Sequence, residues 1–178
     1  MTEKLKKIIL DKGFWEAGTI DIASLQYDPE IRKICEGNSC RNYGTSWACP
    51  PAVGTLEECK QRMEQYDHML LFTGKYEVES SFDFQGMIDS MFRFKKMVDE
   101  LNKELKDVLH PYQLLSNEGC GRCEKCTWPD EPCRFPDRLY HSIEGYGFQV
   151  NQLAKQAGVK YNNGQNTITY FGALLFNE

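Results

Sequence analysis

Residues 120–133 read Cys-Gly-Arg-Cys-Glu-Lys-Cys-Thr-Trp-Pro-Asp-Glu-Pro-Cys, a C-x2-C-x2-C-x6-C pattern built on Cys120, Cys123, Cys126 and Cys133. Thiolates are soft ligands, and three of them at two-residue gaps can wrap one face of a cubane iron–sulfur cluster while the chain folds round it. Zinc is the rival, although structural zinc usually takes two knuckles of paired cysteines separated by a longer stretch. Free or redox-active thiols are the third reading. A looser set stands upstream, Cys35, Cys40, Cys49 and Cys59, spaced C-x4-C-x8-C-x9-C. Four plus four is the ligand count of two [4Fe-4S] clusters or of two tetrahedral zinc sites.

The neighbours of these thiols suit a cluster loop. Gly119 and Gly121 let the backbone approach closely and offer amides to sulfur. Arg122, Lys125 and Arg134 could offset the charge of a thiolate-ligated cluster, or could be solvated surface charge beside Glu124, Asp130 and Glu131. The upstream stretch Cys-Arg-Asn-Tyr-Gly-Thr-Ser-Trp-Ala-Cys-Pro-Pro, residues 40–51, packs aromatics, glycine and prolines around two thiols. Proline after a ligand cysteine recurs in ferredoxin loops. Trp47 and Trp128 each fall within a cysteine loop, where an indole would shield a metal from water. Cys59 is the weakest member, because a lone helix cysteine is also an ordinary core residue.

Other residues offer less. His68, His110 and His141 are isolated and read as core or surface histidines. Gly-Thr-Ser at 44–46 lacks the ending of a phosphate loop. Ser142 and Glu144 show no triad pattern, and the methionines and phenylalanines at 87–97 read as core.

The elements that must hold the loops follow from periodicity. Residues 2–12 suit a short amphipathic helix ended by Gly13, and 19–25 an edge strand. Residues 26–54 carry little periodicity and read as a loop held by its cofactor. Thr55-Leu-Glu-Glu58 is a capping-box signature that starts a helix over about 56–65 and puts Cys59 in its first turns, where the dipole favours a thiolate. Residues 68–78 form a buried strand. Met87, Met91, Phe94, Val98, Leu101, Leu105 and Val108 then mark the strongest helix, stopped by Pro111. Tyr112 to Leu115 is a short strand delivering the chain to Cys120, and Val150 to Ala157 a helix closed by Gly158. The end reads as a hairpin turned at Asn163-Gly164, with 167–176 lying centrally in the sheet. The expected fold is α+β: a small mixed sheet, two or three packed helices and two cysteine-rich loops, 35–59 and 120–133, in one domain over 1–178.

The totals set the class. The hydrophobic share of 41% and charged share of 26% are ordinary for a globular protein, and a net charge of −5 argues against nucleic acid as a partner. No apolar stretch approaches a membrane span, and the start lacks a secretory signal. A cytoplasmic protein is expected, and in a reducing cytosol clustered cysteines are ligands or redox thiols rather than disulfides.

Taken in order, Cys35 and Cys40, Asn-Tyr-Gly-x-x-Trp-x-Cys-Pro-Pro at 42–51, Gly-Thr-Leu-Glu-Glu-Cys at 54–59, Cys-x2-Cys-x2-Cys…Pro-Cys-Arg-x-Pro at 120–136 and Ser-Ile-Glu-Gly-Tyr-Gly at 142–147 resemble the cysteine-rich "predicted metal-binding protein" family of unknown function. The resemblance runs from about residue 30 to the end, and all eight cysteine positions of the pattern are present. One departure is Gly-Tyr-Gly-Phe at 145–148, where many relatives read Gly-Ile-Asp. The resemblance implies metal binding and an anaerobic setting, and assigns no reaction.

Three functions are therefore expected in order. The first is a small iron–sulfur protein with two [4Fe-4S] clusters, passing single electrons to a redox partner protein, with the caution that Cys133 or Cys59 could serve the opposite cluster. The second is an enzyme in which one thiol, most readily Cys59, is not a ligand and one iron stays open to a small or sulfur-containing substrate. The third is a zinc-held interaction module. Partner, potential and oligomeric state are not written in the sequence.

Overall fold

The computed structural model describes all 178 residues. Five helices and five strands build the chain: α1 (Thr2–Asp11), β1 (Glu16–Asp21), α2 (Pro29–Glu36), α3 (Leu56–Met63), β2 (His68–Glu77), α4 (Phe84–Val108), β3 (Tyr112–Ser116), β4 (His141–Ser142), α5 (Val150–Ala157) and β5 (Thr167–Phe176). The strands form one sheet in the order β1-β2-β5-β3-β4. All neighbours are antiparallel except β3 and β4, so the sheet is mixed and the class α+β.

Side chains alternate across a strand, and both faces of this sheet are buried. On one face Met69 and Leu71 of β2 and Phe171, Ala173 and Leu175 of β5 pack with Met63 of α3 and Val150, Leu153 and Ala154 of α5. On the other, Leu70 and Phe72 of β2 and Tyr170, Leu174 and Phe176 of β5 meet Leu5 and Ile9 of α1 and Phe94, Val98, Leu101 and Leu105 of α4. Burial on both faces is why β2 and β5 read as near-continuous apolar runs. Gly18 of β1 marks the tightest packing, since a Cβ there would collide with the Ala157 carbonyl of α5.

Three expectations need correcting. Residues 26–54 are not wholly loop: α2 occupies Pro29–Glu36, begun by Pro29 at N1 and by Asp28 Oδ1, which accepts from Glu30 N at 2.9 Å. The helix was hidden because none of its residues is buried deeply enough to leave an apolar stripe. The chain also does not end in a hairpin. β5 pairs with β2 over its full length and with β3 from Gly172 to Phe176, and residues 159–163 form no strand along its remaining edge. Asn163-Gly164 sits instead in a polar turn, where Gly164 N donates to Asn162 Oδ1 at 2.8 Å and Trp15 Nε1 to Asn163 Oδ1 at 3.0 Å. The helices number five rather than two or three.

The capping box at the start of α3 forms as its sequence implies. Glu58 N donates to Thr55 Oγ1 at 3.2 Å and Thr55 N to Glu58 Oε2 at 2.7 Å. No helix is long and apolar enough to cross a membrane.

Candidate functional site

All four cysteines of the second group, Cys120, Cys123, Cys126 and Cys133, line one cavity of about 200 Å³. None is in a helix or strand; the chain leaves β3 at Ser116 and wraps the cavity before reaching β4. Two backbone amides point at sulfur, Trp128 N at Cys126 Sγ (3.5 Å) and Phe135 N at Cys133 Sγ (3.4 Å). Amides two residues after a cysteine, aimed back at its sulfur, stabilise a thiolate and tune a bound metal. The loop is pinned to α4 by a two-point ion pair, Arg122 Nη1 to Asp99 Oδ2 at 2.7 Å and Nη2 to Asp99 Oδ1 at 2.8 Å. Tyr140 Oη also donates to Asp99 Oδ1 at 2.8 Å. Burial works against the Asp99 carboxylate, yet the Arg122 and Tyr140 hydrogen bonds outweigh it and hold its pKa below the usual range. Arg122 is thus a fastener of the loop, and Arg134 likewise donates to the Lys125 carbonyl at 2.9 Å.

The first group divides. Cys35 in the last turn of α2, Cys40 and Cys49 line a second cavity of about 290 Å³ with Ser142, Glu118 and Glu144. Burial pushes the Cys49 thiol up to about 11, against a hydrogen bond with Ser142, and burial and then Glu144 push Cys35 up. No Lys or Arg lines this cavity. Burial thus favours the protonated form of Cys35 and Cys49, and a metal binding there would displace their protons. Burial also lifts the Glu144 carboxyl, half-buried and without an ion-pair partner, to about 7.

Cys59 is elsewhere. It is fully buried in the core beneath α3, packed with Val53, Met63 and Tyr146. Its sulfur lies 3.5 Å from the Val53 carbonyl, 3.8 Å from the Gly145 carbonyl, 3.5 Å from Arg62 Nη2 and 3.9 Å from Arg32 Nη1. Arg32 also donates to the Gly145 and Gly54 carbonyls, each at 2.6 Å, and Arg62 to the Val53 carbonyl. The two guanidiniums tie α2, α3 and the 144–146 turn together. Neither was legible as a site residue, because surface-type arginines in helices carry no positional signal.

The two loops touch. Trp47 of the first loop meets Trp128 of the second edge-to-face at 4.7 Å and donates from Nε1 to the Glu131 carbonyl at 3.1 Å. Trp47 and Asn42 both line the second loop's cavity, and Asn42 lines the first as well. A Cβ at Gly119 would strike the Asn42 side chain, so this position needs glycine for close approach. Lys95 of α4 lies near both groups. Burial lowers its pKa, and Cys120, Glu118 and Cys49 oppose that. No three His, Cys, Asp or Glu side chains converge on a point that could hold a single metal ion; the thiols are among the residues that line two cavities. His141 is half-buried against Tyr146 Oη, 2.9 Å away, and His68 lies 3.0 Å from Asp21 Oδ1.

The family described as "Predicted metal-binding protein (DUF2284)" matches residues 18–176. The chain belongs to that family. All eight cysteines fall within the matched span, and the description carries metal binding without naming a metal or a reaction. No curated protein and no solved structure matches the chain.

Proposed function

We propose that this is a two-centre iron–sulfur protein that passes single electrons to a redox partner protein. The observation that carries it is the cavity walled by Cys120, Cys123, Cys126 and Cys133, an all-thiol donor set around a volume rather than a point. A tetrahedral zinc site draws its sulfurs to within about 3.8 Å of one another, from Zn–S bonds of about 2.3 Å, whereas a cubane spreads them over its corners. The amides aimed at Cys126 and Cys133 suit thiolate sulfur. When bound, such a cluster supplies a one-electron store.

The chain's own residues do the rest. Asp99 and Arg122 hold the second loop on α4, and Trp47, which lines the cavity, packs edge-to-face on Trp128. Asn42 and Trp47 bridge the two loops, so the centres share a wall, which favours electron exchange between them. All eight cysteines are unpaired, which suits a reducing cytoplasm.

The test is iron, zinc and acid-labile sulfide content of anaerobically purified protein with its visible spectrum. About eight irons with equal sulfide and a brown protein bleached by dithionite are expected. Zinc without sulfide would overturn the reading in favour of a structural metal.

A further inference from the structure

We propose that the first centre is held by three thiolates only, Cys35, Cys40 and Cys49, and that the cavity they line is a binding site for a small neutral or cationic molecule that takes the remaining coordination position. The inference rests on the iron–sulfur reading above and goes beyond it by separating the two centres: one fully ligated relay and one site for a ligand.

The first support is the position of Cys59. Glu144 lines the cavity, while the carbonyl of the next residue, Gly145, faces the Cys59 sulfur at 3.8 Å. One turn of backbone therefore stands between Cys59 and the space the other three thiols share. Cys59 has no exposed surface, and its S–H has the Val53 carbonyl as acceptor at 3.5 Å. Both guanidiniums beside it are already committed to carbonyls, so the Cys59 pocket is satisfied without a metal.

The second support is the lining. Three cysteines occupy one part of a cavity of about 290 Å³. Its remaining wall is mixed, with Ile34 and Phe148 as apolar surface and Tyr43 and Gln149 as hydrogen-bonding groups. That composition is typical of a small-molecule site, and a cavity of that size near the lower end of such sites holds a molecule of few heavy atoms. Two acidic residues, Glu118 and Glu144, line it, and no Lys or Arg does. Lys95 lies outside it, in the field of Glu118, Glu144 and Cys49. The cavity therefore repels phosphates and carboxylates and accepts amines, alcohols and thiols. The cavity of the 120–133 loop differs on each point: all four of its cysteines line it, and so do Arg122, Arg134 and Arg138.

Cysteamine is the probe, because its ammonium can pair with Glu118 or Glu144 while its sulfur supplies the missing ligand. 3-Mercaptopropionate, of similar reach and opposite charge, is the control. Reconstituted wild-type protein is titrated with each and followed by EPR of the dithionite-reduced clusters. Cysteamine should shift the signal of one cluster and leave the other unchanged, binding at least about tenfold more tightly than the mercaptopropionate. Mild oxidation should remove one iron from one cluster and yield a three-iron signal. Cys59→Ala should keep the wild-type iron and sulfide content, while Cys49→Ser should lose about half of it.

Loss of one cluster in a Cys59→Ala protein whose circular dichroism is native would overturn the proposal. So would two intact clusters that neither thiol perturbs, a result that needs no variant and stands even if Cys59→Ala does not fold. Protein without sulfide would sink the iron–sulfur reading itself, and with it this inference, and is distinguishable because the wild type alone reveals it.

Discussion

Replacing Asp99 by asparagine is the sharpest probe of how the second loop is held. The Asp99 and Arg122 side chains are 13% and 18% exposed and meet through two bonds of 2.7 and 2.8 Å. Asp99 also accepts from Tyr140 Oη at 2.8 Å and lies 3.6 Å from Arg138 Nη1. Asparagine keeps the shape and one acceptor but removes the charge, leaving a buried guanidinium uncompensated. Breaking one side of a buried pair costs about 3–5 kcal/mol, and the residual solvent contact here places the expected loss near the lower end, about 3 kcal/mol. For a chain of this length that is a fall in melting temperature of roughly 6–12 °C. Since Arg122 lies between Cys120 and Cys123, the second centre should lose iron to a chelator faster than the first. The assays are thermal unfolding and iron release to a ferrous chelator, with a double-mutant cycle against Arg122→Met. A coupling energy below about 0.5 kcal/mol would refute the reasoning, because it would mean that solvent already satisfies both groups.

Three further outcomes are expected. Thr55→Ala removes the side-chain acceptor for Glu58 N and should cost about 1 kcal/mol in urea unfolding; a neutral result would show that water replaces the cap. Gly18→Ala forces β1 away from the Ala157 carbonyl of α5 and should cost about 1–3 kcal/mol, measured by thermal melting, with no loss meaning that α5 slides freely. Burial, and then Arg62, lower the His141 pKa from 6.5 to about 4. The unfolded chain therefore binds a proton that the folded one refuses, so stability falls as pH drops from about 6.5 toward 4. Between pH 7 and pH 5 the loss is about 2 kcal/mol, and His141→Gln should flatten that slope in urea titrations at the two pH values.

Much of the frame was legible because its causes are local. The capping box at Thr55, the four-and-three spacing from Phe94 to Leu105 and the left-handed Gly158 after α5 each depend on residues within a turn or two of one another. The failures share the opposite property. α2 has no buried face to leave a stripe, and Asn163-Gly164 has a hairpin's sequence without a partner strand. β5 is claimed instead by β2 and β3, whose residues lie far off in sequence.

The same division runs through the site. By itself the sequence determined the donor chemistry, eight soft thiols in two groups, and the glycines that such loops need, because ligand type and short spacing are properties of adjacent residues. Only the tertiary structure decided which thiols share a space. The sequence already marked Cys59 as the weakest ligand and a possible core cysteine; what the structure adds is its surroundings, the carbonyls of Val53 and Gly145 and two arginines from different helices. Spacing could not join the two loops through Trp47 and Trp128, or place Glu118 and Glu144 beside Cys35, Cys40 and Cys49. Those contacts exist because the sheet order brings the ends of β3 and β4 next to the first loop, and burial raises the thiol pKa of Cys35, Cys49 and Cys59 alike.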